Sequence, residues 1–195
     1  MIRVAFQGVP GAYGEEAVAL AFGEEAEAVP CRTFRDVGEA VVAGEVDWGV
    51  LPLENSIVGP VPGAGEVLET LDLHVEREVV VPVHHCLLAL PDTTLERIER
   101  VHSHPVALAQ CVEFFEAHPA MRPVSAFDTA GAAREIAAAG DRSAAALASR
   151  RAARLYGLRI LAANVEDRPD NRTRFAVVTA PERGTPCPEG LIIRS

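Results

Sequence analysis

At 195 residues, the chain has material for one large domain or two small lobes, and 49% hydrophobic with 24% charged residues is enough to bury a core. A formal net charge of −10 argues against a general binder of nucleic acid or anionic membrane, since both are polyanions. No apolar run approaches the roughly 20 residues of a membrane helix, and the start lacks the regions of a secretion signal, so the cytoplasm is the expected compartment.

Taken in chain order, short apolar strands alternate with helix-like segments. Val4–Phe6 reads as a strand, followed by a glycine-rich turn (Gly8, Pro10, Gly11, Gly14) and a helix over Glu15–Phe22. A second strand is expected at Glu27–Pro30, then a helix over Asp36–Ala43 closing at Gly44, and a buried strand over Trp48–Leu51 ending at Pro52. Gly63–Leu71 resumes helical spacing. Val79–Val83 and Cys86–Leu90 form a long apolar stretch broken by Pro82 and the His84-His85 pair. Leu95–Val101 and Pro105–Ala117 are predicted as helices, with Pro105 in a first turn. A strand near Val124–Phe127 leads into a helix over Thr129–Ala139. Another strand begins at Ala144 and runs into Ser149–Tyr156, stopped by Gly157. Arg159–Val165 and Phe175–Val178 complete the strands. The alternation predicts an α/β protein with mainly parallel sheet. The apolar run Val79–Leu90 suggests a crossing between two lobes, with the chain returning near Arg159–Val178.

The inventory of reactive groups is narrow. All 18 basic residues are arginine, so a lysine Schiff base and a GxxxxGK[ST] phosphate loop are both excluded. Four cysteines (Cys31, Cys86, Cys111, Cys187) lack CxxC pairing and read as reduced thiols. The adjacent pair His84-His85 would point to opposite faces of a strand, and no cysteine or acidic cluster joins it or the His102–His104 pair, so no metal site is expected. Gly8–Gly14 lacks GxGxxG spacing and reads as a turn whose amides could meet a carboxylate.

Three polar stretches remain. Val50–Gly59 runs from a buried strand into Glu54-Asn55-Ser56, at the strand end where open α/β sheets bind ligands. A solvated loop in which Asn55 and Ser56 cap a turn is an equal alternative. At Val101–Cys111, Ser103 or His104 is a candidate helix cap, and Gln110 lies two turns in. Asn164–Phe175 is dense in polar groups between two apolar strands, and also suits an ordinary surface turn.

Together these stretches resemble the catalytic domain of prephenate dehydratases. The matching motifs fall in the same order: the Gly8–Ala17 opening, Pro52-Leu53-Glu54-Asn55-Ser56-Ile57-Val58-Gly59, His85-Cys86-Leu87 and Ser103-His104-Pro105 through Gln110-Cys111. They continue with Asp128-Thr129-Ala130, Ala145–Ser149 and Asn171-Arg172-Thr173-Arg174-Phe175. Gly14, Val106, Asp128 and Gly131 depart from the residues common there. The resemblance implies an α/β fold of two lobes, like type II periplasmic binding proteins, with mixed, mainly parallel sheets, helices on both faces and prephenate in a cleft. One lobe is expected at residues 1–78 plus 176–195 and the other at 79–175. The expected activity is a carbon–oxygen lyase that turns prephenate into phenylpyruvate, CO2 and water, without cofactor or metal. A dehydratase for arogenate and a non-catalytic module for small carboxylates are the rivals.

The resemblance makes Thr173 the critical catalytic residue, assisting departure of the ring hydroxyl, with Glu54 or a water relaying the proton. Asn55, Ser56, Ser103, Gln110, Arg174 and Phe175 are the expected substrate-binding residues. Arg174 has two equal readings, a two-pronged bond to a substrate carboxylate or an ion pair with Glu166 or Asp167. No Glu-Ser-Arg-Pro motif occurs, so an ACT regulatory domain is not expected, and a homodimer is compatible with the sequence.

Overall fold

The structure is a computed structural model and describes residues 1–181; Cys187 and the expected carboxyl-terminal part of the first lobe lie outside the described residues. The chain divides into two units. One comprises Met1–Gly8, Tyr13–Val81 and the chain from Arg172; the other comprises Val9–Ala12 and Pro82–Asn171. The divisions thus fall at 81/82 and 171/172 rather than at 78/79 and 175/176, and residues 9–12 belong to the second unit.

In the first unit, strands β1 (Arg3–Gln7), β2 (Glu27–Cys31), β3 (Trp48–Asn55), β4 (Gly59–Pro60), β5 (His74–Pro82) and β11 (Arg172–Thr179) form one sheet. Its order is β2-β1-β3-β11-β5, with β4 paired to β3. β1 runs parallel to β2 and β3, and β11 runs antiparallel to β3. Alternation along the strands divides the apolar residues between two faces. Ala5, Leu51, Ala176 and Val178 pack with Val37 and Val41 of helix α2 (Phe34–Ala43) and with Ala64 and Val67 of α3 (Ala64–Thr70). On the other face lies α1 (Tyr13–Phe22), whose Phe22 ring meets Trp48 at 5.7 Å between centroids. Thr33 starts α2 with a reciprocal capping box to Asp36, and Gly44 ends it in the left-handed region at φ 73°.

The second unit repeats this wiring. Strands β6 (Cys86–Ala89), β7 (Arg100–Ser103), β8 (Arg122–Ser125), β9 (Ala144–Ala148) and β10 (Arg159–Ala162) are ordered β10-β6-β9-β7-β8. β7 is parallel to β8 and β9, whereas β6 is antiparallel to β9 and β10. The sheets are therefore mixed, with parallel pairings on one side of β3 and β9 and antiparallel pairing on the other. One face packs on α6 (Thr129–Ala139) and α7 (Arg150–Tyr156), and the other on α4 (Pro105–Ala109) and α5 (Val112–Ala117). Alanine enrichment has its reason here. The all-buried central strand Ala144–Ala148 presents small side chains to the Ala130, Ala132 and Ala133 face of α6, which lets helix and sheet approach closely.

The segment 9–12 docks by specific bonds within this unit. Ser149 Oγ caps α7 by accepting from the Ala152 amide and donates to the Gly11 carbonyl at 2.7 Å; Tyr156 Oη donates to the Pro10 carbonyl. Gly11 stands at φ +92°, and a Cβ there would lie 3.0 Å from the Ala152 Cα, so both backbone and space require glycine.

Three sequence expectations change. Leu95–Val101 is not a helix: a 3-10 turn covers Leu95–Arg97, and Val101 belongs to β7, where pairing with two neighbouring strands overrides local spacing. The helix expected over Pro105–Ala117 breaks at Gln110-Cys111, because the Asp167 carboxylate accepts from the Val112 and Glu113 amides and starts α5 anew. β3 also runs past Pro52. The register shifts there, with Phe175 opposite Pro52 and Arg174 opposite Glu54, so Leu53 is the extra residue of a bulge and proline is tolerated beside it. No helix among the described residues is long and apolar enough to cross a membrane.

Candidate active site

In the first unit, the polar cluster at the carboxyl end of β3 meets the first residues of β11. Asn55 lies directly opposite Thr173 and Glu54 opposite Arg174, so strand alternation sends these two pairs to opposite faces. Asn55 is buried and uses both ends of its amide. Its Oδ1 accepts from the Ile57 and Val58 amides at 3.0 and 3.2 Å, closing the turn after the strand. Its Nδ2 donates to the Arg172 carbonyl at 3.3 Å and to Thr173 Oγ1 at 3.0 Å. Thr173 is thus an acceptor toward Asn55, and among the described residues none accepts its hydroxyl proton. Ser56 exchanges bonds with Arg172: its amide donates to the Arg172 carbonyl, and its Oγ accepts from the Arg172 amide. The turn-capping reading of Asn55 holds, and the same carboxamide is also bonded to Thr173.

On the opposite face, the Arg174 guanidinium lies between Glu78 at 2.6 Å and Glu54 at 2.9 Å, and those two carboxylates raise its already high pKa. The ion-pair reading of Arg174 therefore finds other partners than Glu166 or Asp167. A proton relay from Glu54 to Thr173 is not supported by this placement, because the Glu54 carboxylate is held by Arg174 on the face away from Thr173. Phe175 is only 4% exposed, which supports a packing role.

In the second unit, Ser103 at the end of β7 is fully buried and donates to the Leu147 carbonyl at 2.6 Å, while His104 caps α4. Ser103 lies where the strand order reverses between β8-β7 and β9, the position at which open α/β sheets hold ligands. Gln110 ends α4, and its Oε1 receives two donors, His85 Nε2 at 3.0 Å and Asn171 Nδ2 at 2.9 Å. Glu166, with a nearly inaccessible side chain, bridges the histidine pair, meeting His84 Nδ1 at 2.6 Å and the His85 amide at 2.9 Å. Burial lowers the pKa of His85 despite the Gln110 bond, so the ring is neutral near pH 7. Burial, then the Asp167 and Glu166 carboxylates, pushes the Cys111 thiol up to about 12, which rules it out as a nucleophile. Among the described residues, no group of three or more His, Cys, Asp or Glu is placed to hold a metal ion.

The sequence reading assigned no substrate-site role to His85 or Asn171, and Glu166 entered it only as an alternative ion-pair partner of Arg174. The signal was present in the first two, since His85-Cys86-Leu87 and the head of the Thr-Arg-Phe motif are both among the matching stretches. Contacts between positions 25 and 81 residues apart supply the role, and spacing along the chain cannot.

Polar side chains gather at strand ends in each of the two like-wired sheets of this α/β protein, the position at which open α/β sheets bind ligands. The family model for prephenate dehydratase matches residues 4–183, and the chain belongs to that family. It is 47% identical over 180 residues to arogenate dehydratase 1 of Petunia hybrida, covering 91% of this chain and 42% of that protein. It is 44% identical over 177 residues to the chloroplastic arogenate dehydratase/prephenate dehydratase 1 of Arabidopsis thaliana, covering 91% and 45%. The chain thus spans less than half the length of these relatives. Among solved structures it is similar to prephenate dehydratase from Arthrobacter aurescens in complex with L-Phe, with a TM-score of 0.86 and 32% identity over 92% of this chain and 61% of that one. GqqA, described as a novel type of quorum quenching acylase, has a TM-score of 0.83 and 40% identity over 91% of this chain and 64% of its own.

Proposed function

We propose that this chain is the dehydratase portion of a prephenate dehydratase, a lyase that converts prephenate into phenylpyruvate, CO2 and water. The observation that carries the reading is the Asn55–Thr173 hydrogen bond. In the reaction, the bond to the ring carboxylate breaks to release CO2. Its electron pair moves through the ring and expels the hydroxyl at the far carbon, which must gain a proton to leave as water. Aromatisation supplies the driving force, so the protein's task is to bind the substrate and place a donor at the departing oxygen. With Asn55 donating to Thr173 Oγ1, the threonine proton is directed away from Asn55 and is the group available to that oxygen. Accepting one hydrogen bond also strengthens a hydroxyl as a donor. Threonine is a weak acid, so a water completes the proton delivery in this scheme. The side-chain nitrogen of Gln110 is a further donor for a substrate oxygen. No cofactor enters this scheme, and neither do nucleic acid or membrane partners.

Kinetics of the 195-residue chain itself provide the test. It should release phenylpyruvate from prephenate, and Thr173→Val should lower kcat by about 10²–10⁴-fold, the range for loss of an acid–base contribution. Thr173→Ser should stay active. A folded Thr173→Val variant with kcat within a few-fold of wild type would overturn the role of Thr173. Arogenate, with an amino group in place of the keto oxygen, is a second substrate reading, supported by relatives of 44–47% identity that are named arogenate dehydratases. Comparison of kcat/KM on the two compounds decides between them. The cytoplasm remains the proposed compartment, consistent with Cys31, Cys86 and Cys111 forming no disulfide among the described residues. A homodimer is the proposed assembly where one forms, to be read from the solution mass.

A further inference from the structure

We propose that His85 is a positioning residue that holds the Gln110 carboxamide in one orientation, so that its N–H2 group faces the ligand. This inference rests on the proposed role of Gln110 as a substrate contact. The Gln110 Oε1 is claimed twice, by His85 Nε2 at 3.0 Å and by Asn171 Nδ2 at 2.9 Å. A carboxamide oxygen has two lone pairs and no proton, so both partners must donate, and His85 must carry its proton on Nε2. Rotating the amide by a half-turn would bring its N–H2 against the Asn171 N–H2 and leave the oxygen without either donor. The orientation is therefore determined twice over.

The other end of the amide is the part left for a ligand. Gln110 is 8% exposed, no described residue accepts from its Nε2, and this atom is not among the buried polar atoms that lack a partner. Its accessible polar edge is a pair of N–H donors, suited to a carboxylate or hydroxyl oxygen of the substrate. His85 is itself held in place, since its amide donates to Glu166, whose other oxygen meets the His84 ring. Buried at 2% exposure, His85 cannot touch a ligand in solvent and acts through Gln110.

A double-mutant cycle tests this. His85→Phe keeps a ring but removes the donor, and kcat/KM should fall by about 10-fold or more, as displacement of a positioned group does. In a Gln110→Ala background, the same change should cost less than about twofold, because the group it positions is gone. His85→Gln, whose amide reaches about as far as the ring Nε2, should recover to within a few-fold of wild type. Equal losses from His85→Phe in both backgrounds would overturn the proposal and show a general structural role. Unchanged kcat/KM in Gln110→Ala alone would instead remove the substrate role of Gln110, and the proposal with it. If His85→Phe does not fold, ¹⁵N NMR of the wild-type imidazole decides. A protonated Nε2 near pH 7 that shifts in Gln110→Ala is the expected signature, and an Nε2 without a proton overturns the proposal.

Discussion

At the scale of single residues, the direction of one hydrogen bond matters more than its presence. Asn55→Asp is nearly isosteric and keeps an oxygen to accept from the Ile57 and Val58 amides, so the turn after β3 survives. The other carboxylate oxygen cannot donate to Thr173 and accepts the threonine proton instead. The expected outcome is a loss in kcat approaching that of Thr173→Val, together with a lower melting temperature, because the new carboxylate is buried and faces the Arg172 carbonyl to which Asn55 Nδ2 donates. Steady-state kinetics and thermal unfolding of the same preparation check both halves. Glu54→Gln makes a useful contrast. It weakens an exposed pair with Arg174, and solvent-exposed ion pairs contribute little to stability. Because Glu54 faces away from Thr173, kcat should stay within a few-fold of wild type. A loss comparable to Thr173→Val would restore the relay role that the sequence suggested for Glu54.

At the scale of elements, close approach of helix and sheet is what the small residues permit. A Cβ at Gly49 on β3 would come within 2.9 Å of a Val37 methyl, 3.0 Å of a Val41 methyl and 3.1 Å of a Val178 methyl. All three neighbours are β-branched and stiff at χ1, so none can rotate away cheaply. Gly49→Ala should therefore destabilise the fold by about 1–3 kcal/mol, the usual cost of overpacking. Urea unfolding with an unchanged m-value would measure it; wild-type stability would show that α2 can shift outward. The elements also differ in how well the sequence announces them. The helix over Thr129–Ala139 has its cap in Asp128 and its stop in Gly140, both local, and the expected and observed ranges coincide. β7 has no such local mark. Its four residues are a strand because β8 and β9 pair with them, and those partners are supplied by residues some 20 to 45 positions later.

At the scale of the whole molecule, the buried polar network of the second unit should be visible in the pH dependence of stability. Burial lowers the folded pKa of His85 below its ordinary value of 6.5, so the unfolded chain binds the proton more readily. The stabilisation is complete above about pH 6.5 and is lost as pH falls toward the folded value, with a slope of at most about 1.4 kcal/mol per pH unit from this one group. Denaturant unfolding between pH 7.5 and 5 should show that decline. His85→Gln, which has no titrating ring, should flatten it. An equal slope in both proteins would assign the acid sensitivity to other groups.

What the amino-acid sequence determined by itself was the class of fold and the order of its motifs. Alternating short apolar strands and capped helices are local signals, set by backbone sterics and side-chain periodicity, and they can be read in windows of ten residues. Its motifs likewise singled out Thr173, Asn55 and Gln110 as candidates. Only the tertiary structure decided their relations. It paired Asn55 with Thr173 across 118 positions, turned Glu54 and Arg174 to the other face, and put His85 and Asn171 on the Gln110 oxygen. Strand register is the physical reason. A shift of one residue, such as the bulge at Leu53, exchanges the faces of every side chain beyond it, and register is set by pairing between distant segments rather than by either segment alone.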